Sequence, residues 1–422
     1  MDAHTHNIKH KTLLPYYIKG LAHKKFTLKQ ASESTGYTIQ WLMQLRNNYI
    51  QNGFIDLENK NKNRIPKNKK PEKLKQKIVA IYVNEYKDVN FKFFCKCLKD
   101  YEGINICYTT LRNVMSEYGI KSPEARKVKK KIKAHRPRLR RENEGDLIQI
   151  DGTPFEWFYK SGDNKKYSMH GAIDDATGKI TGLYITENEC LYGYLEILRQ
   201  TIQNHGIPRE IYSDRAAIFC VTPKNKKNLT IWEELAGIHD KKTQWQRILA
   251  DDLHIRQILA WSPQAKGRVE RMWQTLQGRI PMIFYKNKIK TVEQANAFLP
   301  KFIEDFNKEF AIEAENPITF WRELSPGQNL DDILCAKIDR KTNINGVFMF
   351  HSYRWAVLAN NVSNKDITLC ISERGITAKY KNEYHPVQLL DDIQNCVDDS
   401  MPEVLQNIVY RYMYAYAKEI SA

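Results

Sequence analysis

Asp151, Asp214 and Glu270 are the residues of this chain whose types and placement point to chemistry. Asp151 falls in the stretch 146–155, which reads as a strand. Leu147, Gln149 and Asp151 alternate onto one face, and Ile148 and Ile150 onto the other. A carboxylate in so apolar a strand is costly to ionise unless a cation or hydrogen bonds compensate. Asp214 closes a second, shorter strand at 210–213, the end at which α/β sheets carry function. Glu270 follows Ser262, a helix cap, and Pro263, suited to the first helical position. Val269, Met272, Trp273, Leu276 and Ile280 recur at helical spacing as an apolar face, with Lys266, Glu270, Gln274 and Gln277 on a polar stripe. Gly267 lies one turn before Glu270, where it lets another backbone approach closely. Singly, these acids read as a turn, a cap and the exposed face of an amphipathic helix. As a set they are a strand acid, a strand-end acid and a helix acid, 63 and 56 residues apart. Brought together they repel, and hard divalent cations bound by oxygen resolve the repulsion.

The motifs around these acids carry a family likeness. Gly145-Asp-Leu-Ile-Gln-Ile-Asp-Gly152, Ile173-Asp-Asp-Ala-Thr-Gly178, Ile211-Tyr-Ser-Asp-Arg215 and Ser262-Pro-Gln-Ala-Lys-Gly-Arg-Val-Glu-Arg271 resemble the DDE transposases of the retroviral-integrase-like superfamily, nearest to the ISNCY group of insertion sequences. The likeness is strong over 145–285. It implies an RNase H-like catalytic core in which Asp151, Asp214 and Glu270 are catalytic and bind two Mg2+ ions, with Mn2+ able to substitute. Many members have a shorter gap between the second and third acids, and the extra length here falls mainly in 222–246.

The elements that must position the acids follow a βββαβαβα order. Strands are expected at 146–155, 166–173 and 179–185, a helix at 191–204, a strand at 210–213, and a last short strand within 253–260 before the Ser262 helix. Asp174 and Asp175 read as turn acids rather than ligands. Trp245, Ile248 and Leu249 read as core, and a helix over 292–311 closes or extends the domain.

Charge divides the chain unevenly. Of 422 residues with net charge +17, residues 1–144 hold 32 Lys and Arg against 13 Asp and Glu, and the remainder 34 against 36. The whole excess lies in the first third, which points to a polyanion partner. There, 27–34 and 38–50 read as a helix-turn-helix. Gly36 is in its turn, Thr38 caps the second helix, and Ile39, Leu42 and Leu45 are buried, while Gln40, Gln44 and Arg46 face a DNA groove. Helices at 72–86, 91–101 and 109–118 form a second such module, capped at Thr109 or Thr110, with Arg112 outward. Between it and the core, Lys129, Lys130, Lys131, Arg136, Arg138 and Arg140 belong to a basic run suited to phosphate. Lys266, Arg268 and Arg271 flank the third acid, where phosphate contact and simple salt bridges are both open.

The fold class expected is multidomain: N-terminal all-α helix-turn-helix modules, an α/β RNase H-like core and a small C-terminal β-barrel-like domain. The boundaries are 1–56, a linker 57–71, 72–120, a linker 121–144, the core 145–312, the β domain 335–390 and a helical tail 391–422, its role open between docking and oligomer contact. Strands are read at 346–351, 353–358, 368–371 and 377–380. Eight scattered cysteines indicate neither a zinc site nor a disulfide frame. No apolar run is long enough for a bilayer, and a cytoplasmic, nucleoid-associated bacterial protein is expected. The resemblance implies a transposase that binds terminal inverted repeats in double-stranded DNA, cleaves at the element ends and joins the 3′ hydroxyl to target DNA as a homodimer or larger assembly. A DNA-binding regulator with an inactive core and an RNase H-like nuclease without strand transfer are the alternatives.

Overall fold

The computed structural model describes residues 13–55, 70–123, 139–221, 242–260, 267–381, 383–390 and 403–415. The chain forms two compact units, Met1–Lys77 and Ile78–Ala422. Among its described residues the first holds α1 (Leu14–Ala22), α2 (Leu28–Thr35) and α3 (Ile39–Asn52), around Leu14, Ile18, Leu21, Ala31, Leu42 and Leu45. Thr27 and Gln30 close a capping box at α2, and Gly36 ends it at φ +76°. Three expectations are corrected here. No element was expected before residue 27, where Leu14–Ala22 is a helix. Thr38 is the N-cap of α3 but makes no side-chain cap bond. Ile39 is 47% exposed, because Leu42 and Leu45 point inward and leave it about a quarter turn away.

Helix α4 (Glu72–Ile81) runs on as a π-turn, Tyr82–Tyr86, and is followed by α5 (Phe91–Asp100) and α6 (Tyr108–Glu117). The cap of α6 is Cys107 rather than a threonine. Leu111, Val114 and Met115 are buried. Side chains bind this segment to the α/β core. Lys286 Nζ donates to Glu85 Oε2 at 2.6 Å and Glu102 Oε1 at 2.9 Å. The buried Arg279 guanidinium lies between the rings of Phe93 and Phe310, 4.9 and 4.5 Å from their centroids.

The core sheet comprises β1 (Leu147–Phe155), β2 (Tyr167–Asp174), β3 (Ile180–Thr186), β4 (Glu210–Ser213) and β5 (Arg256–Leu259), in the order β3-β2-β1-β4-β5. β1, β2 and β3 pair antiparallel, whereas β4 and β5 join in parallel. On one face lies α7 (Leu191–Asn204), packed on Ile148 and Ile150. The short α8 (Gln244–Arg247) supplies buried Trp245 to the same core, with Ile248 and Leu249 beyond it. On the other face lie α9 (Gly267–Gln277), α10 (Ile280–Lys286) and α11 (Val292–Phe310). The outer edge of β3 is sealed by side-chain amides. Asn307 and Asn296 of α11 each bond both the N–H and the carbonyl of one residue, Ile180 and Ile185 respectively. Gln200 of α7 does the same for Leu183. Eleven helical residues and five strand residues both span about 16.5 Å, so one helix serves both ends of the strand.

After α12 (Leu330–Ile333) come β6 (Ala336–Lys341), β7 (Val347–Phe350), β8 (Tyr353–Val357), β9 (Asp366–Ser372), β10 (Gly375–Tyr380) and β11 (Glu383–Leu389). They form a six-stranded antiparallel sheet, β6-β9-β10-β11-β8-β7, whose edge strands approach each other, so it nearly closes as a barrel. Two of its strands, β6 and β11, were not expected. The last helix, α13 (Glu403–Val409), continues as a π-turn to Tyr414 and docks on this sheet and α7. Tyr414 donates to Glu373 there. Among the described residues no helix is long and apolar enough to cross a membrane.

Candidate active site

The pairing of β1 with β4 sets the first two acids. Leu147 lies opposite Glu210, Ile148 opposite Ile211 and Gln149 opposite Tyr212. The ladder ends there; the same offset continued two residues would set Asp151 opposite Asp214, the first residue after β4. Both side chains are half-buried. Asp214 Oδ1 accepts from the Ala216 N–H at 2.8 Å, fixing the turn after β4. Both aspartates bear on one further group, the buried Tyr194 hydroxyl. Burial raises its pKa well above the usual value, helped by the charges of Glu189, Asp151 and Asp214.

Helix α9 lies along β1 in a matched register. The Val269 N–H donates to Gln149 Oε1 at 3.4 Å, Trp273 Nε1 to Asp151 Oδ2 at 3.1 Å, and Gln277 Nε2 to Thr153 Oγ1 at 3.4 Å. Four helical residues advance about 6 Å and two strand residues about 6.6 Å, so each fourth helix residue meets each second strand residue. The helix comes this close because Gly171, paired with Asp151, has no side chain. A Cβ there would lie 2.6 Å from the Trp273 ring. The N-terminal end of α9 is fixed by Arg268, whose Nε donates to buried Asp175 Oδ1 at 2.6 Å. Gln149 Nε2 donates to the same oxygen at 2.7 Å.

Glu270 is exposed on α9, one turn before Trp273. Met272 reaches the β2 side of the helix at Gly171, and Arg268 reaches Asp175 beyond it. At 100° per residue Glu270 stands on the other flank, with Gln277, toward β4. The structure thus puts Asp151 in β1, Asp214 just after β4, the strand paired with it, and Glu270 on the helix that lies along β1, without drawing Glu270 in. Among the described residues no three His, Cys, Asp or Glu side chains gather as a metal-binding group. The chemistry of the donor set nonetheless fits hard divalent cations, since all three acids offer carboxylate oxygen. Among the described residues nothing lies within 4 Å of a Cβ on Gly267, so the close approach expected there is not found.

The remaining candidates divide. Gln40 and Gln44 are exposed on α3, and Arg46 is half-buried with Nη2 on Asn47 Oδ1 at 2.9 Å. Arg112 is exposed on α6. Arg140 is exposed and donates to the Ala176 carbonyl at 3.0 Å. Its pKa is lowered by partial burial and then by the positive charge of Arg268 and Arg271. Arg271 is exposed and donates to the Gly267 carbonyl at 2.8 Å, whereas the Arg268 side chain is only 12% exposed in its ion pair with Asp175. Lys129, Lys130, Lys131, Arg136, Arg138, Lys266, Ser262 and Pro263, and residues 222–241 of the extra length, lie outside the described residues. Asp174 is a turn acid as expected, accepting from Thr177 N–H and hydroxyl and from Gly145 N–H. Sequence reasoning missed Tyr194 and Glu189, which lie five residues apart but meet β1 only at Gly152, and the part Asp175 plays, whose partner Arg268 is 93 residues away.

A mixed five-stranded sheet with helices on both faces defines an α/β core. The chain is 33% identical over 323 residues to the transposase for insertion sequence IS1202 of Streptococcus pneumoniae, covering 69% of this chain and 67% of that protein. It is also 29% identical over 401 residues to the y4bF protein of Sinorhizobium fredii (strain NBRC 101917 / NGR234), covering 94% of this chain and 83% of that one. The chain belongs to the insertion-sequence transposases, as its motifs implied. No family model matches it. Among solved structures, a chain of the simian T-cell lymphotropic virus intasome in complex with the PP2A regulatory subunit B56 gamma is 15% identical, with 74% of this chain and 97% of that chain covered and a TM-score of 0.32. The HTLV-2 integrase catalytic core domain in complex with magnesium is 16% identical, with 41% and 92% covered and a TM-score of 0.28.

Proposed function

We propose that this transposase cleaves DNA at the ends of its element and joins the 3′ hydroxyl to target DNA, with Asp151, Asp214 and Glu270 holding two Mg2+ ions. The observation that supports this reading is the β1–β4 register, whose offset, continued two residues, would level Asp151 with Asp214. When bound, such ions lower the pKa of the attacking water or 3′ hydroxyl and offset charge on the leaving oxygen. The protein's own part is placement. Trp273 orients the Asp151 carboxylate, the Ala216 N–H orients that of Asp214, and α9 carries Glu270 to their flank. Arg140 and Arg271, exposed near the N-terminal end of α9, are positioned to meet phosphate, and the basic N-terminal third supplies DNA affinity. Gln40, Gln44 and Arg46 on α3, in a helix-turn-helix, would read the inverted repeats, and two copies would act together on two ends.

The test is a cleavage-and-joining assay on DNA carrying the element ends, with Mg2+ or Mn2+, comparing the parent with Glu270→Gln. Metal-dependent joining that falls at least about a hundredfold in the variant is expected. Binding without cutting would make the protein a regulator, and cutting without joining a nuclease.

A further inference from the structure

The proposed site has neighbours that the transposition reading leaves unused. Gly152 follows Asp151 in β1 and points to the opposite face, toward α7. A Cβ at Gly152 would lie 2.7 Å from the Tyr194 hydroxyl and 3.1 Å from Glu189 Oε1, so these two side chains fill the space its absence leaves. The Tyr194 hydroxyl donates to Glu189 Oε1 at 2.5 Å.

Both are firmly held. Tyr194 is wholly buried and meets His170 edge-on at 4.6 Å and Phe219 at 4.6 Å. The loop bearing Glu189 is tied to β2, since the Cys190 N–H donates to His170 Nε2 at 3.3 Å. Thr186 closes the same loop with a bond to the Asn188 carbonyl. A half-buried carboxylate is therefore fixed beside Gly152, on the α7 face of β1 across from the α9 face that Asp151 meets, by a tyrosine on which Asp151 and Asp214 also act. In a folded protein such a concentration of negative charge is unfavourable by itself, and it becomes favourable when cations occupy the site.

We propose that Glu189, held by Tyr194, is a positioning residue of the site, a fourth acid whose charge strengthens the binding of the cations held by Asp151, Asp214 and Glu270. The inference rests on the metal-site reading above, and the test separates the two. The melting temperature of the full chain is measured in EDTA and across a MnCl2 titration, for the parent, Glu189→Gln, Tyr194→Phe and Asp151→Asn. Glu189→Gln is expected to melt no lower than the parent in EDTA, because one repelling charge is gone. It should nonetheless need roughly three- to tenfold more Mn2+ for the same rise. Tyr194→Phe keeps the charge but releases it, so it melts lower and also needs more Mn2+. The proposal is overturned if Glu189→Gln has the parent's Mn2+ midpoint while Asp151→Asn loses the rise. It is equally overturned if Glu189→Gln merely melts lower in EDTA. Should the parent itself show no rise with Mn2+, the metal-site reading fails and this inference goes with it.

Discussion

Gly171→Ala tests the seat of α9 most directly. Gly171 has no positive φ, so alanine fits its backbone and the whole cost is steric. The new methyl would meet Trp273 Cη2 at 2.6 Å, Met272 Cε at 2.8 Å and Trp273 Cζ2 at 2.9 Å. The methionine end can swing aside, but the indole is held by its bond to Asp151. Overpacking of this kind costs about 1–3 kcal/mol. Trp273→Phe removes the two indole atoms that clash and the Nε1–H that serves Asp151, a charged hydrogen bond worth about 1.5–3 kcal/mol. In the double variant the alanine methyl occupies part of the volume the indole vacates. Its destabilisation should therefore fall short of the sum of the single variants by about 1 kcal/mol or more. Stability is read from denaturant unfolding of all four proteins, and strand joining is measured in parallel. Stability recovers in the double variant and joining does not, because Asp151 still lacks its donor. Strict additivity of the two stability losses, or joining restored in the double variant, would refute the packing of α9 against β2 and the service of Trp273 to Asp151.

Two further outcomes follow from buried ionisable groups. Burial pulls the His170 imidazole down to about 4. The unfolded chain, with an ordinary histidine near 6.5, binds the proton more readily, so His170 contributes stability above pH 6.5 that is lost progressively as pH falls toward 4. Melting temperatures across that range should fall less steeply in His170→Gln. Arg279→Ala removes the cation held by Phe93, Phe310 and Glu309, and should cost about 2 kcal/mol or more and split thermal unfolding as α4–α6 lose their hold on the core. Arg279→Lys should recover only part, since an ammonium cannot stack on two rings. A single unchanged transition in Arg279→Ala would show that this contact does not join them.

Elements with strong periodicity were legible in the sequence. The helix at Leu191–Asn204 and the strand at Glu210–Ser213 fall where alternation and spacing place them, and Trp245, Ile248 and Leu249 are core. The buried face of α9 was legible because four apolar residues, Val269, Met272, Trp273 and Leu276, fall at helical spacing, whereas Ile280, expected on the same face, opens α10. What the sequence hid depends on contacts between distant residues. α1 went unassigned because its apolar residues, Leu14, Ile18 and Leu21, are interleaved with Lys, Tyr and Gly. Ile39 had the right spacing, yet the interior was already filled. β6 and β11 alternate weakly and take their place from pairing with β9, β10 and β8. Arg268 could be placed near Glu270 by spacing, but its commitment to Asp175, 93 residues away, could not.

The amide seal on β3 limits how copies of this protein can assemble. A second subunit that sought to extend the core sheet there would find the outward hydrogen-bonding groups of Ile180, Leu183 and Ile185 already taken. To dock it must first unfasten three amides and lift α11 away. Edge-to-edge aggregation is discouraged by the same lock. Any partnership between two copies is thereby directed to helical faces or to other margins of the fold.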